Sequence, residues 1–156
     1  VAELQPNSQH CFVCGLSNPC GLHLRFYTTG LGQVTADITL PEMYQGYPGV
    51  VHGGIVAAML DEAAGRAHMG GDPPRFMFTA RMEIRYRKNV PVGKPLHVVG
   101  SAGKSRSRTA AASAYIEDSA GEILAEAEVL LVNIPGDTMS MEELDVLGWK
   151  VYPLEE

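Results

Sequence analysis

The stretch on which the fold turns is Ile55-Val56-Ala57-Ala58-Met59-Leu60-Asp61-Glu62-Ala63-Ala64-Gly65-Arg66-Ala67-His68. It is rich in Ala, Met and Leu and free of proline, the make-up of a good helix former. Ile55, Val56, Ala57, Ala58, Met59, Leu60, Ala63, Ala64 and Ala67 set apolar side chains nearly all round such a helix. A surface helix keeps one polar face, so this one is expected in the interior. Asp61, Glu62 and Arg66 are its exceptions and stand out for that reason. Gly70-Gly71-Asp72-Pro73-Pro74 stops it.

The segments around the helix read as strands. Upstream, Val34, Ala36, Ile38 and Leu40 alternate with Gln33, Thr35, Asp37 and Thr39, a half-buried strand that Pro41 ends. Leu22, Leu24 and Phe26 share one face of a strand predicted over 22–28, and Gly30-Leu31-Gly32 is a hairpin turn between the two. Downstream, residues 76–88 alternate Met82, Ile84 and Tyr86 with Arg81, Glu83, Arg85 and Arg87. Strands follow over 95–102, 109–117 and 122–134, the last two joined by Asp118-Ser119-Ala120-Gly121. Ser140-Met141-Glu142-Glu143 resembles a capping box that opens a short helix to Leu147. This order, two strands, a buried helix and four strands, predicts an α+β fold with an antiparallel sheet wrapped around one long central helix. The chain then divides into an N-terminal flap over 1–21, the sheet-and-helix domain over 22–137, and a short helix and tail over 138–156.

Composition narrows the function classes. The 156 residues suffice for one domain with a real core. Twelve Lys and Arg against eighteen acidic residues leave a net charge of -6, which argues against general nucleic-acid binding. No apolar run is long enough for a membrane span, so no membrane partner is expected. Three cysteines do not make a closed disulfide framework, and Val-Ala-Glu-Leu-Gln-Pro lacks the build of a secretory signal. A cytoplasmic location is the expectation.

The helix and its lead-in carry the chemistry. Gly53 and Gly54 leave backbone N–H groups unobstructed at the positive end of the helix dipole, where a carbonyl oxygen can be held as it becomes an oxyanion. Tight packing is the plainer use of such a pair. Asp61 follows two turns later; burial there would raise its pKa and strip it of water, as suits a base or nucleophile.

His52-Gly53-Gly54-Ile55-Val56-Ala57-Ala58-Met59-Leu60-Asp61-Glu62 resembles the His-Gly-Gly segment of hotdog-fold acyl-CoA thioesterases of the phenylacetate-pathway type. The lead-in Gln45-Gly46-Tyr47-Pro48-Gly49-Val50-Val51 is similar to that group as well. So is Cys11-Phe12-Val13-Cys14-Gly15 with Asn18-Pro19 and Gly21-Leu22, and the resemblance covers roughly residues 10–134. It implies the hotdog fold and hydrolysis of an acyl-CoA without a cofactor, coenzyme A being part of the substrate. By the same resemblance Asp61 is the catalytic carboxylate that activates water or attacks the thioester. The Gly53 N–H is the oxyanion donor, with Gly54 beside it against the substrate. Thr79 assists the attacking water, and Gln45 positions the water or the thioester. His52 orients the loop through hydrogen bonds, a direct acid–base role being its alternative. Glu62, about 100° round the helix from Asp61, is the fallback carboxylate.

Spacing adds a constraint of its own. Gly53 and Asp61 are eight residues apart, roughly 12 Å along one helix. One carbonyl cannot be served from both, because a nucleophile must approach to about 3–3.5 Å. Two antiparallel helices across a two-fold axis would bring the two groups together, so a homodimer with shared active sites is expected, with a dimer of dimers left open. Lys104-Ser105-Arg106-Ser107-Arg108-Thr109 is a basic, hydroxyl-rich turn, and Lys88 and Asn89 end the preceding strand. Phosphates of coenzyme A are the expected ligand of Lys104, Arg106 and Arg108, with Lys88 and Asn89 as further substrate contacts.

The cysteine segment allows a zinc reading through His10, Cys11, Cys14, Cys20 and His23. The favoured expectation is instead no metal, with a packed flap over the acyl pocket that turns Phe12 and Val13 inward over buried thiols. A dehydratase would need a paired Asp and His in a motif that the sequence lacks. A non-catalytic acyl-CoA sensor is the alternative from another class, and Asp61 argues against it. Ala57, Ala58 and Ala64 leave room beside the helix, and Tyr44, Tyr47 and Phe78 could accept an aromatic group or a medium chain.

Overall fold

The computed structural model describes residues 1–70, 74–135 and 140–155. In chain order the elements are β1 (Glu3–Leu4), β2 (Tyr27–Gly30), β3 (Gln33–Ile38), a 3-10 turn (Glu42–Tyr44), α1 (Gly53–Arg66), β4 (Met77–Tyr86), β5 (Leu96–Ser105), β6 (Thr109–Glu117), β7 (Ile123–Asn133) and α2 (Met141–Leu147). The strands form one antiparallel sheet in the order β1-β2-β3-β5-β6-β7-β4. It curls over α1, which packs on β3 through β7. This is the antiparallel sheet around a central helix that the element order predicts, and the hotdog fold that the resemblance implies.

Alternation decides which faces meet. Val34 and Ala36 of β3, Leu96 and Val98 of β5, Ala112, Ala114 and Ile116 of β6, and Ala125, Ala127 and Val129 of β7 all point at the helix and are buried. Each fully buried Leu or Ile among them contributes on the order of 1.5–3 kcal/mol relative to exposure. Helix and sheet approach closely at Gly100 of β5. A Cβ there would lie 2.1 Å from the Ala63 carbonyl oxygen, backbone against backbone, so only glycine fits.

The helix itself is less enclosed than its composition predicts. Val56, Met59, Leu60, Ala63, Ala64 and Arg66 are buried, but Ile55, Ala57, Ala58, Asp61 and Glu62 remain partly open. A single chain covers the sheet-facing side of α1 and leaves a second stripe half covered.

The predicted strand over 22–28 is also revised. Leu22, Leu24 and Phe26 do turn inward, yet the ladder begins only at Tyr27. Their backbone groups are engaged elsewhere: Leu22 N donates to Phe12 O, Leu24 N to Val13 O, and Phe26 O accepts from Gln5 N. The N-terminal segment thus pairs with them, and it adds the short strand β1 that the sequence pattern did not signal. Val13 is buried as expected, whereas Phe12 is 40% exposed, a correction to its inward placement. At the other end the capping box forms, with Ser140 Oγ accepting from Glu143 N at 3.1 Å and Glu143 Oε2 accepting from Ser140 N at 2.6 Å.

Candidate active site

Asp61 lies half-buried on α1, and Thr79 Oγ of β4 donates to its Oδ1 at 2.5 Å. A β-bulge makes this contact. The β4–β7 ladder pairs Thr79 with Leu131 and Arg81 with Leu130, so Ala80 is the extra residue. Beyond it Met82 and Ile84 face the core; before it Met77 does. Without the bulge, strict alternation from Met82 would turn Ala80 and Phe78 toward the helix and Thr79 away from it.

The first turn of α1 accounts for its backbone donors almost completely. Gly54 N donates to His52 Nδ1 at 2.9 Å, so the imidazole caps the helix. Ile55 N and Val56 N both donate to His52 O. Gly53 N has no acceptor among the described residues, and no acidic side chain occupies the first turn to offset the dipole. Tyr86 at the far end of β4 donates its hydroxyl to Gly53 O at 2.8 Å, which fixes the peptide that follows. Because His52 already takes the Gly54 N–H, the open donor is that of Gly53 alone.

The predicted residues therefore gather in two places rather than one. Gly53, His52, Lys88 and Asn89 line a cleft of about 390 Å³ together with Tyr47 and Tyr86. Gln45 lies beside His52 and Gly54, where its Oε1 accepts from Gly49 N at 3.3 Å; it is at this end of the helix and not at Asp61. Asp61 and Thr79 stand at the other end. The basic turn belongs with them, since Thr79 pairs with Leu131, and Leu131 with Ala110 next to that turn.

Electrostatics separates the cationic candidates. Lys88 is bound to Glu122, and Arg87 to Glu126 at 2.6 Å; both cations are held more firmly in their charged form by these partners. Lys104, Arg106 and Arg108 are exposed and have no acidic partner among the described residues. Arg75, which the sequence did not single out, fixes their turn. Its guanidinium donates to Ser105 Oγ at 2.6 Å, to Arg106 O at 2.8 Å and to Asn133 Oδ1 at 3.1 Å.

Glu62 does not back up Asp61. Its Oε1 accepts from Arg66 Nε at 3.0 Å, and it faces Cys11 and Cys14 of the N-terminal segment. Burial raises its carboxyl to about 7, with Arg66 pulling the other way. Arg66 is itself 1% exposed; it donates to Pro6 O at 2.8 Å and lies over the rings of Phe26 and Trp149. The Cys11 thiol is lowered by a hydrogen bond from Cys14, and Cys14 is raised by the same bond. The residue pattern paired Cys11 with Cys14 but did not join Glu62 and Arg66 to them, because these residues meet only after α1 and the N-terminal segment have packed together.

Comparison with known proteins bears on the whole arrangement. The model of a family described as the thioesterase superfamily matches residues 48–127. Among solved structures, a thioesterase superfamily protein is similar at 30% identity and a TM-score of 0.74, over 80% of this chain and 61% of its own. The chain thus spans about three-fifths of the length of that protein. The E. coli PaaI protein from the phenylacetic acid degradation operon is similar at 15% identity and a TM-score of 0.68, over 76% of this chain and 84% of its own. A hypothetical thioesterase from Streptococcus pneumoniae TIGR4, solved with coenzyme A, is similar at 17% identity and a TM-score of 0.66, over 75% and 88%. Curated protein sequences give no match.

Proposed function

The chain belongs to the thioesterase superfamily, and from that membership we propose that it hydrolyses an acyl-coenzyme A to the free acid and coenzyme A. The observation that carries the proposal is the short Thr79–Asp61 hydrogen bond, a carboxylate held in a half-dry position by a hydroxyl. With the Thr79 hydroxyl donating its hydrogen bond to Asp61, the Thr79 oxygen accepts a hydrogen bond from a water molecule, and the still-ionised carboxylate takes that water's proton as it attacks. The thioester carbonyl becomes a tetrahedral oxyanion, which a Gly53 N–H stabilises. Collapse breaks the C–S bond, and the proton on Asp61 passes to the departing thiolate. Water and R–CO–S–CoA thus become R–COOH and HS–CoA, with no metal or redox group in the step.

The two groups come from different subunits in this reading. One α1 sets Gly53 and Asp61 about 12 Å apart along its axis, too far for one carbonyl. Pairing of two chains across a two-fold axis supplies the second helix in the opposite sense. Three features support it: β4 is an edge strand of the sheet, it exposes Phe78 (59%) and Tyr86 (53%), and α1 has its half-covered stripe. Lys104, Arg106 and Arg108 bind the phosphates of the coenzyme, being exposed cations gathered in one turn with no acidic partner among the described residues.

The test is release of free thiol from a panel of acyl-CoAs. Asp61→Asn should lower kcat by about 10²–10⁴-fold with the fold intact, and Thr79→Ala by a smaller factor. Binding of acyl-CoAs by the unaltered protein without any thiol release would favour the sensor reading instead.

A further inference from the structure

We propose that Cys11, Cys14 and Glu62 bind one zinc-class divalent cation, which fastens the N-terminal segment to α1 immediately beside Asp61. One ligand atom from each of the three residues lies within 4.8 Å of the others. Donors around a tetrahedral zinc with bonds near 2.3 Å sit about 3.8 Å apart. A side-chain adjustment of about 1 Å therefore closes the site.

The surroundings are those that thiolate–metal sites require. Cys11-Phe12-Val13-Cys14-Gly15 is a tight knuckle: Gly15 N donates to Cys11 O at 2.8 Å, and Val13 N points at Cys11 Sγ at 3.4 Å. Only glycine can follow Cys14, because a Cβ on Gly15 would lie 2.3 Å from Cys11 O and 2.4 Å from Cys11 N. The turn so formed directs both sulfurs to one side. Ser8 Oγ lies 3.5 Å from Cys14 Sγ and accepts from Cys11 N at 3.3 Å. Glu62 is oriented in turn by the buried guanidinium of Arg66. Outer partners of this kind set ligand geometry and basicity at metal sites. Two soft thiolates with one carboxylate favour zinc over magnesium or calcium, which take oxygen donors. Three protein donors leave the fourth tetrahedral position to water.

The ligand set differs from the one that spacing suggested and departs from the expectation of no metal. His10, Cys20 and His23 are exposed, and His23 Nε2 is engaged with Asn18 O at 2.5 Å. The carboxylate from α1 takes the place that those residues would have filled. A role in holding the flap follows, since Glu62 is the neighbour of Asp61 in the chain while its side chain faces the opposite segment.

The experiment uses the full chain, reduced with a phosphine, equilibrated with zinc in the presence of a competing chelator and freed of excess by gel filtration. The unaltered protein and the Cys20→Ser variant should each retain one zinc per chain and melt at a higher temperature with zinc than without. Cobalt in its place should give thiolate charge-transfer absorption and tetrahedral ligand-field bands. Cys11→Ser and Cys14→Ser should each weaken the charge-transfer absorption, and Glu62→Gln should lower zinc affinity by about a hundredfold while sparing it. The proposal is overturned if the unaltered protein holds no more zinc than the Cys11→Ser/Cys14→Ser double variant. It is overturned equally by a Glu62→Gln variant whose affinity and cobalt spectrum match the unaltered protein.

Discussion

Replacing Gly53 by proline exchanges its backbone N–H for a ring carbon at a position where proline fits a helix, which makes it, read beside an alanine control, a direct test of the oxyanion assignment. Gly53 is the first residue of α1, a position where proline is tolerated because its N–H has no acceptor within the helix. The residue before it is already compatible, since His52 has φ -56 and ψ 135, the extended region that precedes proline comfortably. The His52 cap on Gly54 and the bonds from Ile55 and Val56 to His52 O do not involve the lost hydrogen. Folding stability should therefore stay within about 1 kcal/mol, with the loss of glycine's freedom in the unfolded chain acting in the variant's favour. Activity should not survive. Loss of one oxyanion donor costs about 2.7–4 kcal/mol, or 10²–10³ in kcat. Gly53→Ala is the matched control: it keeps the N–H, and its Cβ would rest 3.6 Å from the Tyr86 ring, an ordinary contact. Thiol release from an acyl-CoA gives kcat and KM for each, and a thermal melt confirms that each is folded. A folded proline variant with kcat near that of the unaltered enzyme would refute the reasoning, as would an alanine variant that loses as much as the proline one.

Three further outcomes follow from the same geometry. Asp61→Asn and Gly53→Pro chains, each inactive alone, should recover about a quarter of the unaltered activity when unfolded and refolded together, because half the dimers are mixed and each mixed dimer has one intact site. No recovery in dimers shown to have exchanged would place both groups in one chain. Charge removal by Arg106→Ala with Arg108→Ala should raise KM for an acyl-CoA about tenfold and leave KM for the matching N-acetylcysteamine thioester unchanged, which steady-state kinetics on the two substrates will show. Gly100→Ala should cost roughly 3 kcal/mol or more in a denaturant melt, since the new methyl meets the Ala63 carbonyl and neither backbone can yield; a loss under about 1 kcal/mol would contradict that packing.

Much of the fold was legible because it rests on local pattern. Period-two alternation in β3 and in the second half of β4 and the proline-free apolar run of α1 are statements about neighbouring residues, and the elements formed where those patterns lie. The Ser140 capping box is local in the same way. Leu22, Leu24 and Phe26 mark the limit: their alternation gave the inward face correctly, but a strand also needs a partner, and the partner proved to be the N-terminal segment.

The sequence by itself determined that Asp61 and the Gly53 terminus share one helix, and hence their separation, because helical rise is the same in every context. It also determined that His52 precedes an open N–H, since the first turn of any helix leaves its donors without intrahelical acceptors. Only the tertiary structure decided which hydroxyl Asp61 would meet. Alternation alone turns Thr79 away from the helix, and the Ala80 bulge reverses it, a one-residue slip that no local pattern encodes. Tertiary packing likewise turned Glu62 from a reserve catalyst into the partner of Arg66 and the two cysteines. Neighbours on a helix point about 100° apart, and what stands in each direction is set by segments distant in the chain.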